Sequence, residues 1–194
     1  MRKLARFDIM DYVLYEERRA ELRQNIARIK EPRRIFLGEK VLFLFENTEM
    51  VRDHVLETIW VEKLFSERDL LRQLEIFNPL IANQGELRCT MIILGNADWE
   101  RPKRMKPCKD LSSHIYLILN DDRKVYAQTP ESSVINQHPG TLRVLNFNCG
   151  NNYPVILGSD HSEFKLEKKL SLLQQSALRE DLHITNNTIH KNIH

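Results

Sequence analysis

The 194-residue chain is long enough to bury a core, and its 42% hydrophobic and 29% charged residues exclude both a disordered chain and a membrane-embedded one. A net charge of +2 is too small to mark a nucleic-acid-binding protein by itself. The longest apolar run, Val41 to Phe45, is far shorter than the ~20 residues that cross a bilayer.

Arg2, Lys3 and Arg6 are followed by Asp8, Asp11, Glu16 and Glu17 instead of the apolar stretch of a signal peptide, so the expected location is the cytoplasm. The first long element is a helix. Asp8 or Asp11 can cap it, Leu22, Ile26 and Ile29 repeat at i, i+4, i+7 among charged residues, and Pro32 ends it. Two strand-like runs follow, around Ile35-Phe36-Leu37 and Val41 to Phe45, joined by Gly38-Glu39, which fits a tight hairpin. Because Val41 to Phe45 does not alternate, that strand is expected to be covered on both faces. Val51, Val55 and Ile59 stripe a second helix that Asn47 or Thr48 can cap. Ser66 with Asp69 reads as a capping box for a third helix, carrying Leu70, Leu71, Leu74 and Phe77 and closed by Asn78-Pro79.

After a turn at Gln84-Gly85, Leu87 to Leu94 reads as a core strand. Residues 96–113 are polar, contain Pro102 and Pro107, and read as a long loop. Strands are expected from His114 to Leu119, around Val125-Tyr126 after the turn Asn120-Asp121-Asp122, from Leu142 to Phe147, and around Phe164 and Leu166. Ser171 with Gln174 opens a last helix to about Leu182, and residues 183–194 read as a disordered tail. Helices first and then strands with hairpin-sized turns predict one α+β domain over residues 1–182. It would have a largely antiparallel sheet, N-terminal helices packed on it and a short C-terminal helix.

The string Asp8-Ile9, Tyr15-Glu16, Arg33-Arg34, Gly38 and Phe45-Glu46-Asn47 resembles the bacterial family called domain of unknown function 3501. The likeness continues through Glu57, Glu62, Glu75, Phe77-Asn78, Gly85-Glu86-Leu87 and Thr90, and more sparsely through Asp160-His161, Ala177-Leu178 and Asp181-Leu182. The resemblance implies no assigned activity. It implies a cytosolic partner of peroxide-stress and iron–sulfur redox systems.

No standard nucleotide or catalytic signature is present, and 6 glycines leave little from which to build a phosphate-cradling loop. The best constellation is acidic: Glu46, Glu57, Glu62 and Glu75 with His54, a donor set suited to iron, manganese or zinc. His54 and Glu57 share a helix face, whereas Glu57 and Glu62 diverge by roughly 140° on an ideal helix. The structural alternative has Glu46, Glu62 and Glu75 bonded to arginines such as Arg33 or Arg34, with Glu57 in solvent.

Cys89, Cys108 and Cys149 are odd in number and widely spaced, which predicts free thiols. Cys108 lies among Arg101, Lys103, Arg104, Lys106 and Lys109, cations that would favour a reactive thiolate. The same loop, 101–109, is expected to be exposed and mobile and is the best patch for nucleic acid or an acidic partner. It also complements residues 41–100, which are net negative between two net positive ends. Asp160 could orient His161 as a general base, against which stands a simple Asx turn.

The sequence thus predicts a cytoplasmic accessory protein that acts through a protein partner or self-association and requires no cofactor. A metal-binding redox enzyme using His54, Glu57, Glu62 and Glu75 is the alternative, and nucleic-acid binding through 101–109 is third.

Overall fold

Helix α1 (Tyr12–Lys30) begins where Asp11 accepts the Val13 amide and gives way to a 3-10 turn, Glu31–Arg33, that holds Pro32. The computed structural model describes residues 1–94, 111–130 and 142–183; loop 101–109 and residues 184–194 lie outside these. Helix α2 (Thr48–Glu62) is capped by Asn47 through the Met50 amide and buries Val51, Val55 and Ile59, as its stripe predicts. Lys63, left-handed at φ 52°, stops it. Ser66 caps α3 (Glu67–Phe77), which buries Leu70 and Leu74 but leaves Leu71 exposed. The box at Ser171 and Gln174 is reciprocal and opens α4 (Leu172–His183).

The fold is α+β, and among the described residues eight strands form two antiparallel sheets, where one was expected. The first sheet has the order β1 (Arg34–Leu37), β2 (Val41–Glu46), β3 (Glu86–Ile93), β6 (Leu142–Asn148). The second has the order β5 (Lys124–Tyr126), β4 (Ile115–Leu119), β7 (Pro154–His161), β8 (Phe164–Lys169). Gln128 and Asn146 exchange two 2.8 Å backbone bonds, so the chain leaving β5 is stitched to β6 of the first sheet. The β1–β2 hairpin is present, with Leu37 opposite Val41, so the turn holds three residues, Gly38 to Lys40. Gly38 adopts φ +61°, a left-handed conformation that favours glycine.

Two cores share the first sheet. Phe43, Phe45, Cys89, Met91 and Phe147 on one face pack with Ile115, Leu117 and Leu157 of the second sheet and with Leu178 and Leu182 of α4. On the other side Val144 joins Val51, Val55, Ile59, Leu70 and Leu74 of the helices. On β2 the face of Val41, Phe43 and Phe45 is buried, whereas Leu42 and Leu44 on the other face are only half-buried, so the strand is covered fully on one side and partly on the other.

Strand β7 escaped the sequence reading because Pro154, Gly158 and Asp160 all depress strand signal. Gly158 has a packing role: a Cβ there would come within 2.6 Å of the Tyr116 ring, which crosses β7 and donates its hydroxyl to Glu167 at 2.6 Å. Gly158→Ala should lower the melting temperature, by an amount equivalent to about 1–3 kcal/mol. Combining it with Tyr116→Ala should add much less than it does in the wild type; full additivity would show that the close approach is not the reason for glycine.

A buried ion pair joins the turn before β1 to α4. Arg33 donates from Nε and Nη2 to both oxygens of Asp181 at 2.8 Å, and from Nη1 to the Ile29 carbonyl. Arg33 is thus committed to α4 and not to Glu46 or Glu62. Asp181→Asn should cost about 3–5 kcal/mol in urea denaturation, whereas Arg33→Met with Asp181→Leu should recover much of it. A loss for Asp181→Asn below 1 kcal/mol, as for a surface pair, would contradict this.

Candidate functional site

The helix pair α1–α2 runs antiparallel, with Tyr15 and Arg19 of α1 meeting Glu57 of α2, and Lys30 meeting Asp53. Between the helices and the start of β1 lies a cleft of about 380 Å³, lined by Arg23, Lys30, Arg34, Asp53, His54 and Glu57 among others. At its side, His54 Nε2 lies 3.3 Å from Glu46, whose other oxygen accepts from Thr90 Oγ1 at 3.1 Å. Glu46 is 2% exposed and His54 half-buried. The contact fixes the ring in orientation, as in the carboxylate–imidazole pairs of acid–base sites, and a carboxylate there would take its proton from the nitrogen that faces it. The His54 ring also stacks on Phe77, 6.1 Å between centroids.

Glu57, expected in solvent, is the most heavily bonded side chain of the cleft. It accepts from the Tyr15 hydroxyl at 2.7 Å and from Arg19 at 2.9 and 2.8 Å, and Arg19 in turn lies 3.8 Å over the Trp60 ring. Burial pushes the Glu57 carboxyl up, but the bonds from Arg19 and Tyr15 outweigh it and hold the group below its ordinary value; burial and Glu57 push the Tyr15 hydroxyl up. Glu62 and Glu75, expected to be bonded in the interior, are instead exposed, and neither has an arginine partner among the described residues.

The sequence-predicted donors therefore divide. His54 and Glu57 share the cleft, while Glu62 and Glu75 project elsewhere, and among the described residues no group of three or more His, Cys, Asp or Glu side chains is placed to hold a metal. Cys108 and the basic patch Arg101, Lys103, Arg104, Lys106 and Lys109 lie outside the described residues. Cys89 and Cys149 are buried free thiols; burial pushes Cys149 up to about 12 and Cys89 upward too, so neither is a ready nucleophile.

A second polar cluster covers the open face of the β5-β4-β7-β8 sheet. Asp160 is in strand β7, not in an Asx turn, and its partner is His114 rather than the adjacent His161. It accepts from Tyr126 at 2.5 Å, from His114 Nδ1 at 2.9 Å and from Lys124 at 3.1 Å. These bonds, Tyr126 first, hold its carboxyl well below the usual carboxylate range. His161 sits edge-on to His114 at 5.2 Å and accepts the Glu163 amide on Nδ1. Ser159 is fully buried and accepts the His161 amide, so this serine is not presented as a nucleophile. His114, Lys124 and Tyr126 went unnoticed because they reach Asp160 only through sheet pairing across more than thirty residues.

At one end of the helical layer, Tyr12 of α1 meets Phe65 edge-to-face at 4.9 Å, and Arg6 bonds Glu67 at the start of α3. Around these contacts Phe7, Val13, Leu14, Val61 and Phe65 stand exposed by 45–77%.

The sequence matches the family model described as protein of unknown function (DUF3501) over residues 3–182. The chain belongs to this DUF3501 family. A search of curated proteins finds no match. Among solved structures, this DUF3501 chain is similar to a novel protein of unknown function from Burkholderia pseudomallei K96243, with a TM-score of 0.83 at 20% identity, covering 93% of this chain and 100% of the other. That likeness establishes a shared fold. Several residues that carry the family resemblance are contact partners here: Arg33, Asn47, Ala177 and Asp181 form one buried network, and Tyr15–Glu57 and Glu46–Thr90 are bonded pairs.

The Glu57 clamp gives a pH prediction. A carboxyl held low in the folded state contributes stability above its unfolded value, near 4.5, and loses it as the pH falls through the folded value. Glu57→Gln should therefore lower the melting temperature at pH 7 and approach the wild type as the pH drops below 4.5. An equal difference at pH 7 and pH 3 would mean that its ionised form is not what holds α1.

Proposed function

We propose that this protein acts in the cytoplasm as a non-catalytic accessory protein, docking another protein through the apolar end of its helical layer. The observation that carries this reading is the grouping of Phe7, Val13, Leu14, Val61 and Phe65 where α1 begins and α2 ends. Isolated exposed apolar side chains are ordinary, but five at one end of one layer form the kind of surface that a partner covers. The Arg6–Glu67 pair beside them supplies a polar rim, as protein interfaces have. Among the described residues no helix is long and apolar enough to cross a membrane, so a bilayer-spanning role does not compete for these side chains. The family resemblance supports a peroxide-stress or iron–sulfur redox protein as the class of partner.

A photo-crosslinking side chain placed at Val61 or Phe65 in the producing cell should give one discrete protein adduct, and one at Lys168 on β8 should not. Phe7→Ser with Val13→Ser should reduce that adduct several-fold while leaving the melting temperature nearly unchanged. Absence of a discrete adduct from both apolar positions overturns the reading, and an adduct of twice the chain mass reassigns the surface to self-association.

A further inference from the structure

The α1–α2 cleft has chemistry that the docking surface does not use. Its carboxylates are largely occupied: Asp53 accepts from Lys30 at 2.8 Å, and Glu57 is held by Tyr15 and Arg19. Glu31 is a lining carboxylate without such a bond among the described residues. Against it stand Arg23 and Arg34, exposed arginines of the same cleft whose side chains form no hydrogen bond or ion pair among the described residues, although the charge of Arg23 is felt at Glu57. Three lining cations are matched by three carboxylates, but with Asp53 bonded to Lys30 and Glu57 to Arg19, two unbonded arginines face one unbonded carboxylate in a concavity whose volume of about 380 Å³ falls within the range of small-molecule sites.

His54 adds a proton-carrying group. Glu46, 2% exposed, has Thr90 and His54 as its hydrogen-bond partners and fixes the imidazole through Nε2. The other ring nitrogen, Nδ1, has no partner among the described residues. It accepts a proton when the ring is neutral and donates one when the ring is an imidazolium. Guanidinium groups bind carboxylates and phosphates by parallel N–H donors, and an adjacent imidazole can share a proton with the same oxygen.

We propose that the cleft between α1, α2 and β1 binds a small oxyanion, a carboxylate or a phosphate ester, held by Arg23 and Arg34 with His54 as the proton-sharing contact. Anion binding favours the imidazolium, and the charged groups that bond it or share the cleft with it are Glu46 from β2, Asp53 and Glu57 from its own helix, Arg23 and Lys30 from α1, Glu31 from the turn that follows, and Arg34 from β1. The inference does not depend on the apolar end of the layer, so either can fail alone.

The test is NMR of histidine-labelled full-length protein titrated separately with inorganic phosphate and with succinate. At least one anion should shift the His54 ring signals saturably and raise the pH at which the ring titrates. The neutral ring should be the Nε2–H tautomer. Arg23→Gln and Arg34→Gln, both exposed changes, should each weaken binding tenfold or more, whereas Lys168→Gln should not. Response to phosphate alone assigns a phosphate site, and response to succinate alone a carboxylate site. The proposal is overturned if neither anion shifts His54 saturably, or if both arginine variants bind as the wild type does.

Discussion

Arg33 is the residue on which the assembly of this chain depends, because a buried guanidinium must have every donor answered or the fold loses several kcal/mol. It is 5% exposed and Asp181 1%. Burial pushes the Asp181 carboxyl up, and the bonds from Arg33 and Asn47 pull it back. Asn47 reaches the same carboxylate at 3.4 Å while its own oxygen caps α2. One ion pair therefore ties the last turn of α1, the start of β1, the N-terminus of α2 and the C-terminal helix. The pair anchors α4, whose Leu178 and Leu182 pack into the core that the two sheets share.

The helical layer is held unevenly. Helix α2 buries Met50, Val51, Val55, Leu56 and Ile59, each worth about 1.5–3 kcal/mol when removed from water. Helix α1, four residues longer, buries Tyr15 alone and relies on partly exposed ion pairs, whose usual worth is about 0–1 kcal/mol each. A helix attached by polar clamps leaves space and charge beneath it, and this is why the cleft opens there. Both the apolar end and the cleft border α1, the most lightly held of the layer's elements.

The open sheet face shows how a glycine inside a strand is offset. Tyr116 is 4% exposed despite lying on the outer face, because it lies flat across Gly158 and under Lys124, 3.6 Å from its ring centre. Burial and the bond to Glu167 raise its hydroxyl to about 12, so it stays a donor at neutral pH. Asp160 gathers three donors beside it, and the face is thereby closed by hydrogen bonds in place of a further layer of apolar side chains.

Local chemistry was legible without the fold. Asp11, Asn47, Ser66 and Ser171 cap their helices because capping involves neighbours within three residues, and Gly38 marks its hairpin because φ +61° is a property of one residue. The stripe Val51, Val55, Ile59 foretold burial, since period and apolarity are written along the chain. The pairing of His54 with Glu57 in one cleft likewise followed from three-residue helical spacing. Which charges meet was decided by tertiary structure. Arg33 chose Asp181 over Glu46, Glu57 found Tyr15 and Arg19, and Asp160 found His114, across separations of 148, 42, 38 and 46 residues. A carboxylate carries the same chemistry with any donor, so its identity in sequence cannot select a partner. Only the packing of helices on one sheet and the folding of that sheet against another set the distances that do.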